Sequence, residues 1–308
     1  MGPTLRPTTT ILDGGLATEL ERRGHDLSDR LWSARMLLED PDAIEDVHLA
    51  YLRAGAQVST TASYQATIPG FAAAGLDRDA ALVAIRRSVE VAQRARERFD
   101  REPADGGTVT DASLVAGSVG PYGAMLADGS EYRGDYDPGE TALRDVHAPR
   151  MEALLDAGAD LLAIETIPTM REARVVVDLV GELGATAWLS YQCRDGASTA
   201  AGEPIEEAVA IATAPGIIAV GVNCTAPRHM PALLAAAGRA TSTPLIAYPN
   251  DGDAWDARDR RWIAADQDGR FDAAAVASWA VLGASWLGGC CGTSPRDIAA
   301  LAAAIRAA

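Results

Sequence analysis

The chain has no lysine; all 27 of its basic residues are arginine. This excludes a Schiff-base aldolase, a pyridoxal-phosphate enzyme anchored through lysine, and a P-loop nucleotide binder. Positive charge is scarce altogether. Asp and Glu number 43, so the net charge is -16. Nucleic acid and anionic membrane surfaces are both bound through clustered cations, so the balance argues against either partner. Long apolar runs are missing too. The longest uncharged stretch, Ala273 to Pro295, is interrupted by Gly283, Ser285, Gly288 and Gly289 and has no basic flank. It predicts a buried helix followed by a buried strand rather than a membrane span. The N-terminus, MGPTLRPTTT, has no apolar h-region, and Arg6 stands where a myristoylation motif requires Ser or Thr. The expected location is the cytoplasm. Cysteine is limited to Cys193, Cys224, Cys290 and Cys291, which in that setting read as thiols or metal ligands rather than disulfides.

What is present is a regular alternation. Short, near-continuous apolar runs occupy Thr10–Asp13, Gln57–Ser63, Leu114–Val119, Leu161–Thr166, Ala187–Cys193, Ile217–Cys224, Leu245–Asn250 and Ser285–Cys290. Such runs suit parallel strands buried on both faces. Each is followed by a helical pattern: Asp42–Ala54, Asp79–Phe99, Glu140–Ala157, Thr169–Leu183, Pro204–Thr213, Pro231–Ala240, Asp272–Leu282 and Pro295–Ala307. Several helices open on Asp, Thr or Pro, and several end at Gly. Eight strand–helix units in 308 residues predict an α/β fold, a single-domain (β/α)8 TIM barrel. An open doubly wound sheet would favour a G-x-G-x-x-G first turn, and none occurs. The polar stretches 101–112 and 251–270 read as loops.

Barrel enzymes carry their chemistry at the C-terminal ends of the strands. Strand one ends in Asp13-Gly14-Gly15 and strand two in Ser63-Tyr64-Gln65. Strand four ends in Glu165-Thr166, strand six in Asn223-Cys224, and strand eight in Gly288-Gly289-Cys290-Cys291-Gly292-Thr293. Two carboxylates and three cysteines are thus predicted to meet at one rim. Three thiolates suit Zn2+, leaving a fourth position open for substrate. Adjacent Cys290 and Cys291 would face opposite sides of a regular strand, so sharing a metal requires a bend, which the flanking glycines permit. Cys193 reads as a small buried hydrophobe. A soft thiolate site favours a sulfur substrate, and a nearby carboxylate suits an ammonium.

The motifs resemble those of homocysteine S-methyltransferases: Ile11 to Leu20, Thr60 to Thr67, Glu165-Thr166-Ile167-Pro168, Gly221-Val222-Asn223-Cys224 and Gly288 to Thr293. Gly120 to Gly123, Leu126 to Tyr132 and Tyr248-Pro249-Asn250 look like the stand-alone branch that uses S-methylmethionine or S-adenosylmethionine. The resemblance covers nearly the whole chain and implies one homocysteine-binding barrel domain over 1–308. It implies a zinc-dependent methyltransferase that makes L-methionine from L-homocysteine. It implies Cys224, Cys290 and Cys291 as zinc ligands, Asp13 and Glu165 near the substrate ammonium, and the backbone around Ala17 and Thr18 near its carboxylate. Asn223 matches the residue before the first ligand and enters the expected substrate site. The implied partners are small molecules, homocysteine and a sulfonium donor; the oligomeric state is left open.

Other readings of the same residues stand beside these. Asp13 could cap its own turn, Glu165 could pair with an arginine, and Asn223 could brace a loop. Asp13 and Glu165 could instead serve a barrel glycoside hydrolase, which leaves the cysteines without a role. A zinc-binding or redox-sensing barrel would need no amino-acid pocket. Tyr64, Tyr122 and Tyr132 offer aromatic faces to a sulfonium or to packing. His25, His48, His147 and His229 end no strand and read as surface or helix residues.

Overall fold

The apolar runs become strands because both of their faces are covered. In the computed structural model, the described residues are 9–102, 113–212, 214–252, 254–256, 261–263 and 270–307, with the two triplets described by backbone alone. The barrel strands are β1 (Thr10–Ile11), β2 (Val58–Thr60), β3 (Leu114–Val119), β4 (Leu161–Ile167), β5 (Ala187–Tyr191), β6 (Ile217–Asn223) and β7 (Leu245–Tyr248). A hairpin of β8 (Ala254–Asp256) and β9 (Arg261–Ile263) follows, and β10 (Ala284–Leu287) is the eighth barrel strand. The sheet runs β1-β10-β7-β6-β5-β4-β3-β2 with every pair parallel. A bridge between Leu12 and Val58, with Gln57 N donating to Ile11 O at 2.7 Å, joins the two ends into a barrel. The fold is a (β/α)8 barrel.

Side chains sort by the two-residue period of a strand. On β4, Leu161 and Ala163 join the cluster inside the barrel, with Leu12, Trp188 and Ile246. Leu162 and Ile164 join the larger cluster between sheet and helices. Small inward residues such as Ala116, Ala163 and Ala219 leave room for the fully buried indole of Trp188 at the centre. The helices start where polar side chains cap them. Asp40, Asp77 and Thr169 accept from Ala43 N, Ala80 N and Glu172 N, and open helices Pro41–Arg53, Arg78–Asp100 and Met170–Leu183.

The structure differs from the sequence reading in five places. Short helices at Leu16–Arg22, Ser33–Glu39, Ile68–Ala73 and Tyr122–Leu126 were not anticipated; each spans too few residues to show a helical period. The stretch 251–270, read as a loop, contains the β8–β9 hairpin, in which Trp255 pairs with Trp262. The helix expected at Pro204–Thr213 is confined to Ile205–Val209, and Thr213 lies outside the described residues. The expected buried helix at the start of the uncharged stretch is Ala273–Ser278 plus a 3-10 turn, Trp279–Leu282. Only Val276 and Trp279 are buried along it, and Val281 is 86% exposed, because alanine covers the outer face at little hydrophobic cost. His48 and His147 lie in helices as expected, but both are completely buried, in place of the surface position allowed for them. Positions 1–8 and 103–112 of the N-terminal and loop readings lie outside the described residues. Among the described residues, no helix is long and apolar enough to cross a membrane.

Candidate functional site

The period of two also explains which side chains reach the barrel mouth. On β6, Ala219 faces the interior, so Asn223 does as well, and Cys224 should turn outward. Cys224 instead takes φ +45°, a left-handed conformation that returns its thiol to the mouth. Thr166, next to last in β4, does the same with φ +61°. Both are rare for residues with a Cβ and cluster, as such strain does, at a site. Asn223 links them: its Oδ1 accepts from Thr166 N at 2.7 Å, and its Nδ2 donates to Thr166 Oγ1 at 2.8 Å. Ser190 Oγ donates to the same Oδ1 at 2.9 Å. Asn223 is fully buried, and its amide is committed to this brace. It is not among the residues that line the cavity, which it meets through Thr166.

The mouth holds a cavity of about 80 Å3. Asp13, Ala17, Thr18, Glu165, Cys224, Cys290 and Cys291 all line it. The three sulfurs lie within 4.8 Å of one another; Cys224 and Cys291 are 3.7 Å apart and Cys290 and Cys291 4.0 Å. A tetrahedral metal with sulfur bonds of about 2.3 Å has edges of about 3.8 Å, so the spacing fits a shared metal. All four cysteines are free thiols. Adjacent Cys290 and Cys291 converge because the chain turns sharply after β10. Thr293 N donates to Cys290 O at 3.1 Å, and Gly292 takes φ +82°. Gly15 must also lack a side chain, since a Cβ there would lie 2.7 Å from Cys290 O. Hydrogen bonding from Cys290 and Cys291 holds the Cys224 thiol well below its usual range and pushes the other two up. Cys193 lies apart, buried in the outer core, where burial pushes its thiol up.

The two carboxyls are buried in the same cavity as the thiols. Asp13 accepts from Thr60 N at 2.7 Å and from Thr60 Oγ1 at 3.0 Å. Glu165 accepts from Ser118 Oγ and, at 3.2 Å, from Tyr248 Oη. Neither forms an ion pair with an arginine among the described residues. Burial raises each to about 8, the neighbouring Cys290 adding to the effect at Glu165 and Glu165 to that at Asp13. Burial therefore disfavours the ionised form of both, and each lacks a cation among the described residues. The helix Leu16–Arg22 also borders the cavity; Ala17 and Thr18 lie in its first turn, where their amides have no partner within the helix.

A family model described as homocysteine S-methyltransferase matches residues 10–305. The chain belongs to the homocysteine S-methyltransferase family. The homocysteine S-methyltransferase of Escherichia coli K12 is 48% identical over 295 residues, 95% of this chain and 94% of that one. Homocysteine S-methyltransferase 4 of Zea mays is 46% identical, covering 97% of this chain and 90% of its own. The metallated form of the homocysteine methyltransferase MmuM from Escherichia coli superposes with a TM-score of 0.84 at 46% identity, covering 96% of both chains.

For this member of the homocysteine S-methyltransferase family, the sequence reading passed over several site residues. Ser118, Thr60 and Tyr248 hold the carboxyls, and Trp32, Thr61 and Ser33 complete the cavity wall. Ser118 sits inside an apolar run, where its parity with Ala116 was the available signal. Trp32 lies on a turn with no periodicity to mark it. Of the three tyrosines considered, Tyr64 and Tyr132 line the cavity. Tyr122 instead packs against Tyr136, with ring centroids 5.7 Å apart.

Proposed function

We propose that this chain is a cytoplasmic, zinc-dependent enzyme that transfers a methyl group from a sulfonium donor to L-homocysteine, forming L-methionine. The donor is S-methylmethionine or S-adenosylmethionine. The observation that carries the reading is the meeting of three thiols and two cation-free carboxyls in one small cavity. Cys224, Cys290 and Cys291 would hold Zn2+. Bound there, Zn2+ supplies a Lewis acid that keeps a substrate thiol anionic at neutral pH.

The rest follows from the chain's own groups. Asp13 and Glu165 take the homocysteine ammonium, whose arrival favours the ionised form that burial disfavours. Homocysteine binding then releases protons and weakens as pH falls. The amides of Ala17 and Thr18 receive the substrate carboxylate. Asn223 contributes by fixing Thr166 against the cavity. The sulfur lone pair forms the new bond to the methyl carbon, while the C–S+ bond breaks and its electron pair passes to the donor sulfur. The leaving group is a neutral thioether, so no general acid is needed. Residues 1–308 act as one homocysteine-binding domain, with small molecules as partners. The test is methionine formation by zinc-loaded protein from homocysteine and each donor in turn. Turnover with one sulfonium is expected; none with either would contradict the reading.

A further inference from the structure

A second, larger cavity of about 350 Å3 opens beside the thiol site. Trp32, Tyr64 and Tyr132 line both, so the two cavities adjoin at these aromatic side chains. Trp32 carries backbone strain at this junction, with φ +50° and ψ -126°, a conformation foreign to a bulky residue. The lining is acidic: Glu21, Asp26, Asp29 and Glu131, against Arg30 and His25.

Two buried acceptors on this wall are unused. Glu131 is only 6% exposed, yet its Oε2 has no hydrogen-bond partner, and Arg133 acts on the carboxyl only through space, its guanidinium being paired with Asp135. Gln65 is 8% exposed; its Nε2 donates to Ala124 O at 3.0 Å, which leaves Oε1 unpartnered. A buried acceptor left unmade costs about 1–3 kcal/mol, so two on one cavity wall point to a donor-bearing ligand. The segment that presents Glu131 is closely fitted. It is the 3-10 turn Ser130–Tyr132, held by Ser130 N to Asp128 Oδ1 at 2.9 Å and Gly134 N to Ser130 O at 2.7 Å. A Cβ at Gly123 would lie 2.6 Å from Glu131 N. Burial pushes the Glu131 carboxyl up to about 7, so a cation beside it gains by ionising it.

We propose that this chamber binds the amino-acid end of the sulfonium donor, with Glu131 and Gln65 Oε1 receiving its α-ammonium. The inference rests on the functional reading above. It places donor and acceptor in adjoining cavities, with the donor's charged centre toward the aromatic wall and the thiol site beyond it. Arg30 supplies the cationic lining that suits the donor carboxylate.

The experiment measures initial rates at saturating homocysteine with zinc-loaded wild type and Glu131→Gln. It determines KM for S-methylmethionine and the inhibition constant of 4-(dimethylsulfonio)butanoate, which lacks only the ammonium. In the wild type, KM should lie at least tenfold below the inhibition constant. Glu131→Gln should raise KM about ten- to hundredfold while leaving the inhibition constant and the homocysteine KM within about twofold. Zinc content and melting temperature, expected unchanged, show that the variant is intact; Glu131→Asp should recover part of the lost affinity. An unchanged KM, or a parallel rise in KM and inhibition constant, overturns the assignment of Glu131. Absence of methionine formation in the wild type overturns the functional reading and this inference with it.

Discussion

Among the single residues, His48 is the least expected. Its imidazole is completely buried in the helix Pro41–Arg53, and neither ring nitrogen has a hydrogen-bond partner. Burial lowers its pKa to about 4, with Glu45 opposing weakly. The unfolded chain therefore binds a proton at about pH 6.5 that the folded chain accepts only near pH 4. Stability attributable to this residue is intact above pH 6.5 and falls as pH drops toward 4, by about 3 kcal/mol in all. His48→Leu should be more stable than the wild type, by a margin that grows by about 1.4 kcal/mol per unit below pH 6. Urea unfolding at pH 7, 6 and 5 checks this; parallel curves would show that His48 stays neutral in both states. The sequence held a signal for this: His48 shares the helical stripe of Ile44, Val47, Tyr51 and Leu52, which is the buried face. Asn223 posed a different difficulty. Its place in the motif was plain, but only the geometry distinguishes touching a substrate from bracing Thr166.

Between elements, one buried polar network holds the segment that carries Glu131. Glu172, fully buried on the helix Met170–Leu183, accepts from Tyr122 N at 2.6 Å and from Tyr136 Oη. It also meets His147 Nε2 at 2.7 Å. Arg150 donates to Gly120 O and, at 2.7 Å, to His147 Nδ1. With Nδ1 accepting, Nε2 carries the proton and donates to Glu172, so His147 is neutral. Burial, then Arg150, lowers its pKa accordingly. The 120–136 segment is thus tied to two barrel helices through charges that have no water to fall back on. Breaking one partner of a buried charged set costs about 3–5 kcal/mol. Arg150→Met should lose that much in urea unfolding while keeping its zinc; a loss under about 1 kcal/mol would mean the network is dispensable. Strand and helix periods were legible in the sequence. This network was not, because apart from the neighbours His147 and Arg150 its bonds span 25 to 50 residues and share no pattern.

For the whole molecule, the barrel follows from eight alternating apolar runs and helices together with the lack of the G-x-G-x-x-G turn that an open doubly wound sheet favours. The order of the cysteines and carboxylates at strand ends was legible for the same reason. The bends that make the thiols converge were not, because left-handed Cys224 has a residue type that gives no hint of it. The barrel core does not depend on the rim, so the fold should outlast its metal. The claim that the thiols hold zinc and present it to homocysteine is tested most directly by zinc-edge X-ray absorption on the purified protein. Three sulfurs per zinc are expected before homocysteine is added and four afterwards, since the open tetrahedral position takes the substrate sulfur. Fewer than three sulfurs at the start, or a count unchanged by saturating homocysteine, would contradict the account.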